Sequence, residues 1–138
     1  MAYIVSYQKF INATVTRELK LPENAEKQRI GTELCTLGNL TYVAIPDSER
    51  LPDDQPAEIA DSIKIVSVDA DLRARIRSAS PHVQLINQRV AEKIAAQYTT
   101  GDEIKLLRTA PSAEFELYNT YVEDCRAWGR AQKAELGL

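Results

Sequence analysis

Few side chains in this sequence could do chemistry, and they lie far apart. His82 is the only histidine, and the two cysteines, Cys35 and Cys125, do not form a Cys-x-x-Cys pair. A zinc site needs several histidine, cysteine or carboxylate ligands, and no carboxylate lies one helical turn from His82. No signature of a thiol enzyme flanks either cysteine. The sequence therefore predicts no catalytic residue and no metal site.

Paired carboxylates are the remaining candidates for acid–base chemistry. They occur at Asp53-Asp54, Asp69-Asp71, Asp102-Glu103 and Glu123-Asp124. Three of these pairs lie at predicted helix starts or in a polar loop, where helix capping and solvation explain them. Phosphate-binding loops need clustered glycines, and the five glycines of this chain are scattered. We therefore expect no cofactor.

Arginines give an alternative function. Arg73, Arg75 and Arg77 alternate along a predicted short helix, and helices within 70–98 could form a helix-turn-helix that contacts DNA. The net charge of -3 and the pI of about 5.2 provide no general basic footprint. The sequence therefore favours a solvated helix face, disfavours nucleic-acid binding, and leaves a small DNA-binding regulator as the second hypothesis.

The front half carries the β signals. Residues 1–20 fit either a helix or a strand, and both alternatives stay open. Apolar runs at 30–37 and 40–45 flank Gly38-Asn39, which predicts a β-hairpin with a two-residue type II′ turn. Residues 46–60 contain three prolines and predict an exposed polar loop. A further strand is expected at 62–68, pairing with the hairpin.

The back half is predicted to be helical, with recognisable start signals. Asp69 begins a helix that ends near Ser78, and Ser80-Pro81 begins one that ends near Tyr98. Thr100 and Glu103 have capping-box spacing and begin a helix through 108, with Ile104 and Leu107 predicted to face inward. Ser112 is expected to cap a last helix over 113–135.

The last helix has two apolar stripes, where one is enough to pack it on its own domain. The first stripe contains Phe115, Tyr118, Val122 and Cys125, and the second contains Leu117, Tyr121 and Trp128. Tyrosine, tryptophan and arginine commonly anchor protein interfaces. We therefore predict partner binding through Leu117, Tyr118, Tyr121, Arg126 and Trp128, with a wide core groove that buries both stripes as the alternative.

The back half also carries a family resemblance. The runs SIKIVSVDADLRARIRSASPHVQLINQRVAEKIAAQYTTGDEIKLLR and AEFELYNTYVEDCRAWGRAQKAELGL resemble the small accessory proteins of phage and prophage tail modules, including tail fibre assembly chaperones. The resemblance covers 62–138, whereas the segment IGTELCTLGNLTYVAIPDSERLP departs from it. It implies a non-enzymatic protein that binds another tail or tail fibre protein as a chaperone or structural subunit, and it carries over no catalytic residues.

These observations predict an α+β fold in a single domain, 1–138, with a small antiparallel sheet in the β-rich part, 1–68, and a helical part, 69–138, packed on it. The sequence has neither a signal peptide pattern nor a membrane-span pattern, so a cytoplasmic protein, or one incorporated in a virion, is expected. The leading hypothesis is a protein-binding module, with a homo-oligomer as an open alternative. An enzyme whose site is composed at an oligomer interface is a further alternative.

Overall fold

The computed structural model describes residues 1–138 and has four strands and five helices. In chain order these are β1 Ala2–Tyr7, β2 Thr32–Leu37, β3 Leu40–Pro46, α1 Ala57–Ala60, β4 Lys64–Val66, α2 Ala70–Ala79, α3 Pro81–Gln97, α4 Thr100–Thr109 and α5 Ala113–Glu135. The strands form one antiparallel sheet in the order β2-β3-β1-β4. This arrangement confirms the predicted α+β class. None of the helices combines the length and apolar content needed to span a bilayer.

The β2–β3 hairpin forms at its predicted turn. Leu37 pairs with Leu40, and Gly38 has φ +62°, whereas Asn39 is not among the residues with positive φ. A positive φ at the first central residue alone is the pattern of a type II′ turn. A bulge between Glu33 and Cys35 shifts the register, and the extra residue, Leu34, is buried.

Two predictions about the front half are corrected by strand pairing. Of residues 1–20, for which the sequence leaves helix and strand open, 2–7 form the strand β1, and the rest belongs to no helix or named strand. β4 pairs with β1, not with the hairpin, because β1 lies between β3 and β4 in the sheet. The two central strands, β1 and β3, contain most of the buried strand residues.

One face of the sheet forms the main core. Its buried members are Val5, Tyr7, Leu19, Val43, Ile45 and Ile59. Ile59 belongs to α1, within the segment predicted as an exposed loop, and its side chain is completely buried. That prediction is wrong at 57–60, because Pro56 precedes a short helical turn that directs Ile59 inward.

Contacts divide the chain into two compact units. Unit 1 comprises Met1–His82 with Ala134–Leu138, and unit 2 comprises Val83–Lys133. Within unit 1, α2 packs against β2, and Gly137 adopts φ +79°, where a Cβ atom would lie 3.0 Å from the Ala2 carbonyl oxygen. The single-domain organisation stays a prediction. The boundary between the units lies near the start of α3, whereas the predicted change from the β-rich to the helical part lies earlier, at 68–69.

The helix boundaries follow the predicted ones closely, but two caps differ. The Asp69 carboxylate accepts from the Leu72 amide, as predicted. The Ser80 hydroxyl is buried without a hydrogen-bond partner, so it does not cap α3. The capping box of α4 joins Thr99 to Asp102, one residue earlier than the predicted pair.

Candidate protein-binding site

The reactive side chains lie in different surroundings. His82 is exposed, Cys35 is half-buried, and Cys125 is buried in unit 2. Burial raises the pKa of the Cys35 thiol, which disfavours the thiolate needed for nucleophilic attack. No group of three or more His, Cys, Asp or Glu side chains is placed to hold a metal ion.

Two of the three alternating arginines are held partly within unit 1, but only Arg77 forms a hydrogen bond there. The Arg77 guanidinium donates to the Leu138 carbonyl oxygen. Arg73 is half-buried, and its Nε atom is buried without a hydrogen-bond partner. Only Arg75 is exposed without a described partner. This face therefore presents fewer free cations than the sequence spacing indicates, and DNA binding stays a prediction.

The first apolar stripe of α5 packs within unit 2. Val122 and Cys125 are buried, and the Tyr118 ring meets the ring of Tyr98, the residue after α3, edge-on with 4.9 Å between centroids. Desolvation, followed by a hydrogen bond to Glu103 of α4, raises the pKa of the Tyr118 phenol. Tyr118, predicted to bind a partner, is thus a link between helices of its own unit.

The second stripe of α5 is divided between internal contacts and exposure. The Tyr121 hydroxyl donates to the Lys93 carbonyl oxygen of α3 at 2.8 Å, and the Lys93 ammonium lies 4.1 Å from the centroid of the Trp128 ring. Arg126 pairs with Glu123 one turn away, at 3.0 Å. Leu117 alone among the apolar residues of this stripe stays mostly exposed, at 69%.

Helix α4 has no fully buried residue. Ile104 and Leu107, predicted to face inward, are 48% and 62% exposed, so that prediction is wrong. Glu103 and Leu106, each one position earlier in the sequence, are the half-buried residues. The helix is therefore rotated by about one residue, roughly 100°, from the predicted orientation. This rotation leaves Ile104 and Leu107 on its exposed side.

A groove of about 410 Å³ lies within unit 2 where α4, α5 and the end of α3 meet. We call it the three-helix groove. It is lined by Gln97, Tyr98, Asp102, Lys105, Leu106, Glu114 and Leu117. Its apolar surface comes from Leu106 of α4, Leu117 of α5 and Tyr98, which directly follows α3. Its charged side chains have both signs, so the groove combines apolar anchors with polar groups that could orient a bound segment.

The sequence reasoning identified one residue of this groove, Leu117. It missed Tyr98, which was predicted only as the end of a helix, and Leu106, which was predicted only as part of one. Their spacing along the chain gives no signal, because the groove exists only where three helices meet. The five grooves described for this protein do not include His82, Cys35 or Cys125 in their linings. Comparisons with protein-family models, curated proteins and solved structures found no match to this chain.

Proposed function

We propose that this chain is a non-enzymatic protein-binding module that binds another protein through the three-helix groove of unit 2. The class of partner follows from the sequence resemblance, so we propose a tail or tail fibre component of a phage or prophage. The chain would act on that component as an accessory protein, a chaperone or a structural subunit. The observation that supports the proposal most is the exposed Leu117 at the groove.

The energetics favour a partner at this position. A leucine side chain that becomes fully buried contributes about 1.5–3 kcal/mol through the hydrophobic effect. Leu117 is 69% exposed in the free chain, so most of this stabilisation is still available to a complex. Tyr98 adds an aromatic surface to the same groove, and tyrosine is enriched among residues that dominate binding energy.

The groove fits a short protein segment. Its volume of about 410 Å³ gives room for side chains of a bound segment. Lys105 and Glu114 lie in its lining with opposite charges, and such charges orient a bound segment more than they increase its affinity. The partner expected here is a helix or strand that inserts apolar side chains and forms polar contacts at the edge.

The test begins with the products of the genes next to the one that encodes this chain. Each product is co-expressed with the tagged chain, and the affinity of any complex is measured by calorimetry with wild type, Leu117→Glu and Leu85→Glu. Leu85 of α3 is the matched control, because it is 43% exposed and does not line the groove. We expect Leu117→Glu to weaken binding at least about tenfold, corresponding to about 1.4 kcal/mol, and Leu85→Glu to bind as wild type.

Two results would contradict the proposal. One is that no neighbouring gene product binds. The other is that Leu117→Glu binds as tightly as wild type while its circular dichroism shows a folded chain. Light scattering on the free chain tests the homo-oligomer alternative. If the wild-type chain is a dimer and Leu117→Glu is a monomer, the groove is occupied by a second copy of the chain.

A further inference from the structure

A second groove of unit 2, between α3 and α5, has a single sign of charge. It has a volume of about 250 Å³ and is lined by Asn87, Val90, Arg126, Gly129, Arg130 and Lys133. We call it the basic groove. Its two apolar lining residues are buried Gly129 and half-buried Val90. Three of the six lining residues are cations, and none is a carboxylate.

The three cations lie on one face of α5. Arg126, Arg130 and Lys133 are spaced at four and three residues, which places them on the same side of a helix, over a length of about 10 Å. Like charges at this spacing repel one another and destabilise a helix. Arg126 is partly neutralised by Glu123, whereas Arg130 and Lys133 take part in none of the ion pairs of the structure.

The helix dipole explains only part of this arrangement. Cations are stabilised near a helix C-terminus, but the effect is confined to the last turn. Helix α5 ends at Glu135, so Lys133 lies in the last turn and Arg126 lies more than two turns before it. The concentration of positive charge along a concave surface is therefore not accounted for by the stability of the helix.

We propose that the basic groove binds an acidic segment of another protein, with aspartate or glutamate side chains spaced about one helical turn apart. The guanidinium groups of Arg126 and Arg130 match a carboxylate in shape and can donate two parallel hydrogen bonds. The Asn87 amide supplies further donors beside them. Val90 packs closely against Gly129 and offers an apolar surface for the methylene groups of the acidic side chains.

A protein segment fits this groove better than a nucleic acid does. The chain carries a net charge of -3, and Glu123 and Asp124 lie directly before the cations on the same helix. A phosphate backbone extends beyond two turns and would pass these carboxylates, which would repel it. A short acidic segment can end before them. The proposal does not depend on the three-helix groove, since Leu117 does not line the basic groove.

The test uses a fluorescein-labelled peptide with glutamates at helical spacing, and the same peptide with glutamine in place of glutamate. Fluorescence anisotropy gives the affinity for the wild-type chain at low and high salt. The variant is the double substitution Arg130→Gln with Lys133→Gln. Arg108→Gln of α4 is the matched control, because Arg108 is exposed and outside the groove.

We expect the glutamate peptide to bind more tightly than the glutamine peptide, and added salt to weaken its binding. Each charge removed from the groove should weaken binding by about 1.4- to fivefold, the range measured for exposed ion pairs, while Arg108→Gln should bind as wild type. Equal affinity for the two peptides, equal loss in the Arg108→Gln control, or no binding at low salt would overturn the proposal.

Two further outcomes would replace the proposed occupant and so overturn the proposal. In the first, a single-stranded DNA with the same number of charges binds more tightly than the glutamate peptide, and the double variant loses that binding. In the second, the wild-type chain self-associates at low salt and the double variant does not. The exposed acidic residues of segment 46–61 of a second copy would then be the ligand.

Discussion

The contact between α3 and α5 at Gly129 gives the sharpest test of how unit 2 packs. A Cβ atom at Gly129 would lie 2.7 Å from the Val90 Cγ2 atom and 3.9 Å from the Ile86 Cγ2 atom. Carbon atoms are most stable at a separation of about 3.5–4.0 Å, so the first contact is too short by about 1 Å. Valine in a helix strongly prefers one χ1 rotamer, so the Val90 side chain cannot easily turn away.

Two effects of known size oppose each other in Gly129→Ala. Overpacking a well-packed core costs about 1–3 kcal/mol. Alanine in a helix interior is more stable than glycine by about 1 kcal/mol. We therefore expect Gly129→Ala to lower the free energy of unfolding by about 0–2 kcal/mol. In a Val90→Ala background the clash is absent. There Gly129→Ala should raise the free energy of unfolding by up to about 1 kcal/mol.

The assay is urea unfolding of the four variants in this double-mutant cycle, followed by fluorescence. Trp128 is the only tryptophan, and it lies in unit 2 beside Lys93, so its emission reports this unit. Gly101→Ala is the control, because a Cβ atom there meets only the Thr99 Oγ1 atom at 3.7 Å. Additive effects of Gly129→Ala and Val90→Ala, within about 0.5 kcal/mol, would refute the reasoning.

Three further predictions concern the caps and the core. Thr99→Ala should lower stability by about 1 kcal/mol, because Thr99 caps α4. Thr100→Ala should change it by less than about 0.5 kcal/mol; urea unfolding would contradict this cap assignment if the two variants gave the reverse order. Ile59→Ala should cost about 2–5 kcal/mol, since Ile59 is 0% exposed, whereas Ile65→Ala should be nearly neutral, since Ile65 is 75% exposed; similar unfolding midpoints for the two would count against the burial of α1. The backbone amide and then the hydroxyl of Thr99 lower the pKa of Asp102 below its ordinary 3.8. The carboxylate therefore contributes stability above the unfolded-state pKa, and this is lost as pH falls through the lower folded-state pKa. The stability difference between wild type and Asp102→Ala should shrink on acidification below about pH 4, and a difference constant to the lowest pH would contradict the assignment.

The features predicted correctly from the sequence depend on neighbours within a few residues. The turn at Gly38 needs a positive φ that glycine adopts readily, so the dipeptide Gly38-Asn39 is enough to predict it. The Asp69 cap and the bounds of α5 follow from hydrogen bonds between residues three apart. The apolar period of α5 likewise identified Val122 and Cys125 as docking residues.

The features predicted wrongly depend on contacts between distant residues. β4 pairs with β1 across about sixty residues of chain, a choice among sheet edges that no local pattern encodes. α4 shows the same limit, since its apolar residues suggested an inward face of Ile104 and Leu107, whereas the half-buried positions are Glu103 and Leu106. The rotation of a short helix is decided by the surface that it meets.

The sequence by itself determined the local elements of this protein, because caps, turns and side-chain periods act over one or two turns of backbone. It also showed two apolar stripes on α5, with partner binding and a wide core groove as the two interpretations. Only the tertiary structure decided how that surface is used: Tyr121 and Trp128 contact Lys93 of α3, Tyr118 contacts Tyr98 just after α3, and Leu117 stays exposed. The physical reason is that burial is a property of which surfaces meet, and those surfaces come from helices separated in the chain.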